Sequence, residues 1–355
     1  MRRMDQLIAS LACTAALLST FQAAPEPRSE VHGYLTKVGM SAEDLTKLEA
    51  GGVAARAQQT GDDEIVVFAA VKIRAPRDRV LDYYGQVISF VDGKVTFAFG
   101  RFGTPPAADN VKDLAFEDYE IEELRKCKPG KCDMRLGGAA IDALQKSVAW
   151  TSPGAGEQVN AFARKAAVDY VTAYQSRGDA ALVTYDDRAK PVSLQAQWRG
   201  IIGNSALLPE YAPELKSYLE QYPRGSLPGA RDILYWNKEY YGLKPIISIV
   251  HGIVYQPPTR TDRAFVVQKQ IYASHYYDGS LAVAMLLSSV EGGAPSTYLV
   301  YVNRSRGDLL KGGFGGLKRN VAQTQARKAA EETLGMIKSQ LEQVAEPPPA
   351  GDRIR

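Results

Sequence analysis

The chain has 355 residues, 45% of them apolar and 23% charged, the balance of a globular protein of about two domains and not of a disordered one. Lys and Arg total 43 against 40 Asp and Glu, and a net charge of +3 is too even for a protein that coats nucleic acid through a concentrated excess of cations. Beyond the N-terminus no apolar run reaches about 20 residues, which excludes a multi-span membrane protein.

Arg2 and Arg3 precede an apolar run from Leu7 to Phe21, followed by the small residues Ala23 and Ala24. A basic start, an apolar centre and a small-residue end predict a cleaved signal peptide over 1–23, and with it a secreted or periplasmic protein. Phe21 stands three residues before the cut, so an uncleaved N-terminal anchor is the alternative. Cys13 lies inside the apolar run and leaves with it.

Residues 25–40 read as a short leader. Ser41-Ala42-Glu43-Asp44 opens a brief helix with a capping serine and early acids, and Gly51-Gly52 ends it. Val53–Gln59 and the apolar, β-branched Glu64–Arg74 read as strands. Pro76 starts a helix in which Val80, Tyr83, Tyr84, Val87 and Phe90 recur at helical spacing, and Lys94–Phe102 is a further strand. Cys127 and Cys132 flank Pro129-Gly130, a turn that brings them together, which predicts a local disulfide in an oxidising compartment. A redox pair favours two intervening residues, and a zinc site needs two further ligands that are not nearby. Residues 25–136 thus read as the N-terminal half of an α+β domain.

Residues 137–244 read as a helical insertion or lid, with helices over 154–177, 193–204 and 213–222. The adjacent Asp186 and Asp187 read as a solvated turn within it. From Pro245 the period changes to two. Ile246–Tyr255, Ala264–Tyr276, Ser280–Ser288 and Thr297–Arg304 read as four antiparallel strands, separated by Pro257-Pro258, the hairpin signal Asp278-Gly279, and Gly292-Gly293. The glycine-rich run Gly312–Gly316 leads into a long helix, Leu317–Val344. Its stripe is Ala326, Ala330, Leu334, Ile337, Leu341 and Val344; Pro347-Pro348-Pro349 ends it, and 346–355 read as a disordered tail.

The strand series Ala264–Arg304, the loop Gly312–Gly316 and the helix Leu317–Val344, with the earlier strand Glu64–Arg74 and helix Pro76–Phe90, together resemble the helix-grip fold of the START-like, or SRPBCC, superfamily. The resemblance covers about 60% of the chain and is architectural. It implies a curved antiparallel sheet closed on the long C-terminal helix, and a lipid-like or polycyclic ligand held between them. It does not imply an enzyme.

His251 shares strand parity with Ile247, Ile249 and Ile253, and His275 with Phe265, Val267 and Ile271. Both rings are therefore read as facing an apolar interior, where an imidazole needs a hydrogen-bond partner. On neighbouring strands they could approach each other in a cavity with Asp278 near its mouth, as a ligand-orienting pair or a general base; otherwise they are core histidines with backbone or tyrosine partners. Tyr272 and Tyr301 offer an apolar body with a polar handle. Lys318 and Arg319, at a helix N-terminus behind the glycine loop, could take an anionic headgroup. No Walker, nucleophile-elbow or zinc-protease pattern occurs, and no metal or cofactor is expected. These residues predict a carrier of a hydrophobic or amphipathic small molecule, a lipid above all, with no nucleic-acid partner and with peripheral membrane contact as a corollary. The alternatives are a cofactor-free cyclase or hydrolase with a cavity histidine, and an envelope interaction protein.

Overall fold

The computed structural model describes residues 26–343 except 62, 88–94, 241–243 and 308–314, and the side chains of 315–319 are also outside the description. The signal-peptide reading, the C-terminal tail and most of the glycine-rich loop lie outside the described residues.

The fold is α+β, built on one eight-stranded antiparallel sheet. Five consecutive strands form a meander: β6 (Ala230–Glu239), β7 (Ile246–Tyr255), β8 (Arg263–Ala273), β9 (Tyr277–Glu291) and β10 (Ala294–Gly307). The hairpin of β1 (Ala54–Thr60) and β2 (Glu64–Ile73) docks on β10, and β3 (Thr96–Arg101) docks on β6. The order is β1-β2-β10-β9-β8-β7-β6-β3, so the sheet is open, with β1 and β3 at its edges. A separate two-stranded ladder joins β4 (Thr184–Tyr185) to β5 (Val192–Ser193).

All ten residues of β2 are buried, and nine of ten in β7. Such continuous apolar strands require cover on both faces. On one face lie α3 (Arg77–Val87) and α10 (Gly315–Gln343), whose Ala330, Leu334, Ile337 and Leu341 pack with Val80 and Tyr84 against Ala69, Val71 and Leu299. The far end of α10 is tied to β2 by Lys338, which donates to the Lys72 carbonyl at 2.8 Å, and by Glu342, which accepts from the Arg74 amide at 2.8 Å. The opposite face is covered by α1 (Pro27–Lys37), α2 (Ala42–Glu49), α6 (Ala155–Arg177), α7 (Leu194–Gly203), α8 (Leu207–Tyr211) and α9 (Pro213–Gln221). We call the two sides the α10 face and the insertion face. α4 (Asp118–Arg125) and α5 (Gly138–Ser147) form a smaller core with α6 that includes Cys127 of the Cys127–Cys132 disulfide.

Four sequence expectations are corrected. Residues 25–40 are not a leader, because Pro27–Lys37 is helical and buries Val31, Tyr34 and Leu35. Residues 137–244 are not all helical: β6 lies within them, and only its pairing with β7 reveals its role. Asp278-Gly279 is not a hairpin turn but part of β9; the chain turns at Ser274–Tyr276, with Tyr276 at φ 64°. Asp187 is buried instead of solvated, since the disulfide loop hydrogen-bonds onto its segment through the amides of Gly130 and Cys132. The Gly292-Gly293 turn and the cap at Ser41, whose hydroxyl accepts from the Asp44 amide, are as the sequence indicates.

Two stability consequences follow. Ile337→Ala removes a fully buried contact between α10 and β2 and should destabilise the protein by about 2–4 kcal/mol in urea unfolding. Replacing Cys127 and Cys132 with serine reopens a short loop and should cost about 2 kcal/mol, read as a lower melting temperature matched by dithiothreitol treatment of the wild type.

Candidate functional site

The residues selected from sequence do not form one site. His251 and Tyr272 face the insertion, Tyr301 packs on the α10 face, and His275 sits past the end of β8. The side chains of Lys318 and Arg319 lie outside the described residues. The expectation that the two histidine rings approach each other is corrected by register. His251 pairs with Lys269, six residues before His275, a separation of about 20 Å along an extended strand.

His251 is fully buried and doubly bonded. Its Nε2 lies 2.8 Å from Asp232 Oδ1 and its Nδ1 3.0 Å from the Tyr174 hydroxyl, with the Tyr222 ring centred 4.3 Å away. A neutral ring that donates from Nε2 and accepts at Nδ1 satisfies both contacts. Asp232 also accepts from the Tyr218 hydroxyl at 2.6 Å. Burial pushes the imidazole below its ordinary value, against the pull of Asp232. The Asp232 carboxyl is held low by its His251 and Tyr218 hydrogen bonds, which outweigh its desolvation. His275 contacts the Ser274 hydroxyl through Nδ1 at 3.1 Å, and burial, then nearby Lys244, lowers it to about 4. Tyr272 donates to the Arg135 carbonyl at 2.9 Å and packs between Tyr170 and Tyr185. These groups fasten helices and loops to the sheet.

The α10 face carries a cleft at the sheet. A cleft of about 300 Å³ opens between α3 and strands β3, β6, β7 and β8. Leu81, Phe99, Ile233, Val254 and Val266 give it apolar walls, and Asp82, Arg101, Arg231, Tyr235, Gln256 and Gln268 give it polar ones. The Tyr235 ring passes close to Gly252 on β7, where a Cβ would stand 3.4 Å from Tyr235 Cε1 and from the Ile233 carbonyl, so glycine leaves room for the ring. The Tyr235 hydroxyl thereby accepts from the Gln268 amide at 2.9 Å, and Phe99 packs on the same ring at 5.4 Å.

Alternation continues this face past the cleft through Asn237, Ser248 and Gln270, then Tyr277, Ser280, Tyr301 and Asn303. Gln270 donates to the Ser248 hydroxyl at 3.0 Å, and Asn303 to the Ser280 hydroxyl at 3.2 Å. Burial raises the Tyr277 and Tyr301 phenols to about 12 and pushes Tyr84 and Tyr235 up as well, so all four are neutral near pH 7. Sequence reading found Tyr301 here and missed the rest. The available signal was the alternation Ile233, Tyr235, Asn237 in β6, which becomes visible only once that segment is recognised as a strand. No histidine lines the cleft, and among the described residues no cluster of His, Cys, Asp and Glu could hold a metal. Among them also, no helix is long and apolar enough to cross a membrane.

No family model and no curated protein matches the chain.

The depressed values set a pH dependence. His251, His275 and Asp232 all titrate lower in the folded chain than in the unfolded one, so on acidification the unfolded state takes up protons first. Their stabilisation is full above the ordinary histidine value of 6.5 and is lost as the pH falls, through about 4 for His275. Between pH 7 and 4.5 the urea midpoint should drop, with His275 contributing on the order of 2 kcal/mol, and His275→Gln should flatten the slope.

Proposed function

We propose that the protein is a carrier, secreted or periplasmic, that holds a hydrophobic or amphipathic small molecule of lipid type in the cleft between α3 and the sheet. The observation that carries this reading is the lining itself: a preformed space in which apolar side chains such as Leu81, Phe99, Val254 and Val266 stand beside oriented polar groups, Tyr235 and Gln268 above all, a mixture that suits an amphipathic small molecule. Its volume of about 300 Å³ lies at the low end of such sites, so it suits a single ring system or part of an acyl chain. The driving force would be removal of apolar ligand surface from water. In this reading the sheet curves around the ligand in a START-like, helix-grip arrangement, with α10 buttressing β1 and β2. Phe97 and Tyr240, exposed neighbours with ring centroids 6.3 Å apart on β3 and next to β6, suit contact with a membrane during loading. The cyclase or hydrolase alternative is not taken up, because its histidine base would have to act from across the sheet.

Native mass spectrometry of protein purified without detergent from its own compartment, followed by extraction, tests the proposal. A stoichiometric apolar ligand is expected, and Val254→Trp, which fills the cleft from its floor, should lose it while retaining the far-ultraviolet circular dichroism of the wild type. An empty wild-type protein that also takes up nothing from a lipid extract would overturn the carrier reading.

A further inference from the structure

Next to the floor of the cleft, one row further along the strands, Asn237, Ser248 and Gln270 stand side by side on the α10 face. Asn237 and Ser248 are register partners on β6 and β7, and Gln270 on β8 reaches Ser248 with its amide at 3.0 Å. Asn237 is 7% exposed and Ser248 3%, yet the Asn237 Oδ1 and Gln270 Oε1 atoms are buried with no hydrogen-bond partner among the described residues. Buried polar atoms are rarely left so, and an unmade bond at such a position points to a bound group or water that completes it. The Ser248 oxygen accepts from Gln270 and keeps its own proton to donate. Side by side the row therefore presents the Ser248 proton and two unpartnered amide oxygens.

We infer that this row is the head-recognition end of the cleft and that it selects a neutral, hydroxyl-bearing ligand, such as a long-chain alcohol. The inference rests on the carrier reading. A hydroxyl both donates and accepts, so it can give its proton to Asn237 Oδ1 while receiving the one on Ser248. A carboxylate or phosphate ester has acceptors alone and would face the two carbonyl oxygens, with the Glu239 carboxylate two residues further along the same face of β6. The arginines of the cleft, Arg101 and Arg231, flank the opposite, outer end, where β6 begins and β3 ends. An ammonium group would satisfy the acceptors but would meet the Ser248 proton, and entering a buried row costs a charge far more than it costs a hydroxyl.

Three probes with one pyrene-tagged decyl body and different heads, alcohol, carboxylate and amine, decide the matter by fluorescence titration at pH 8. The alcohol should bind at least about tenfold more tightly than either of the others. Asn237→Leu, close in volume, should weaken the alcohol about tenfold and leave the carboxylate probe unchanged. Gln270→Met, checked for folding by thermal melting alongside it, should act in the same direction. Binding of the carboxylate or amine as tightly as the alcohol, or an alcohol affinity indifferent to both substitutions, would overturn the head assignment and leave the carrier reading in place. Failure of all three probes to bind would remove the carrier reading and this inference together.

Discussion

Cover on both faces of the sheet is the constraint on which the rest of the structure depends. Once helices lie on each side, every side chain of the central strands loses access to water, and each polar one must find a partner within the protein. The insertion face meets this demand with charge. Lys238 on β6 reaches Glu120 on α4 at 2.8 Å, Arg263 on β8 grips Glu30 on α1 with two bonds of 2.7 and 2.9 Å, and Asp278 on β9 meets Arg135 at 2.6 Å. Lys269 pairs with Asp179 just beyond α6, its ammonium between the rings of Tyr174 and Trp198. Each of these contacts joins the sheet to a different covering segment. Buried pairs add little net stability because desolvation offsets attraction, but an unpaired one is costly, so each pair penalises any other placement of its helix.

His251 belongs to the same pattern. It ties β7 to α6 through Tyr174, and through Asp232 and Tyr218 it ties β6 to α9. An imidazole in an apolar surrounding signals a functional group only while its partners are unknown. With both ring nitrogens engaged and no accessible space beside it, its role is to position helices. On the α10 face the strands carry phenols, amides and hydroxyls, with Ala330, Leu334 and Ile337 covering one half and the cleft under α3, which also has Asp82, Arg101 and Arg231 in its wall, opening in the other. Buried neutral polar groups can stay without a partner at far lower cost than buried charges, so the strands of this face need no ion pairs to be covered.

How far the site was legible in the sequence follows from which signals are local. Tyr301 stands out in the sequence as a tyrosine that offers an apolar body with a polar handle, whereas its neighbours Tyr235, Asn237, Gln268 and Gln270 do not. Asn and Gln in a strand read as solvent-facing, and nothing local distinguishes them from surface residues. Their burial depends on α3 and on strands from elsewhere in the chain. In the same way β6 follows a run of helices and carries Trp236, Asn237 and Lys238, which weaken its apolar pattern. It is held as a strand by ten register pairs with β7 and by β3 on its other side.

What the sequence by itself determined was the class of protein and most of its elements: the β2 and β7–β10 strands, the α10 stripe, the Ser41 cap, the Gly292-Gly293 turn and the Cys127–Cys132 link. These rest on periodicity, capping and short-range closure, which are properties of neighbouring residues. Only the tertiary structure decided which face each strand residue meets, that His251 and Tyr301 lie on opposite sides, and that Asn237, Ser248 and Gln270 share a face with the cleft. Those outcomes depend on strand order and register between segments more than 200 residues apart, as in the pairing of Glu64 with Arg306, and no local pattern encodes them.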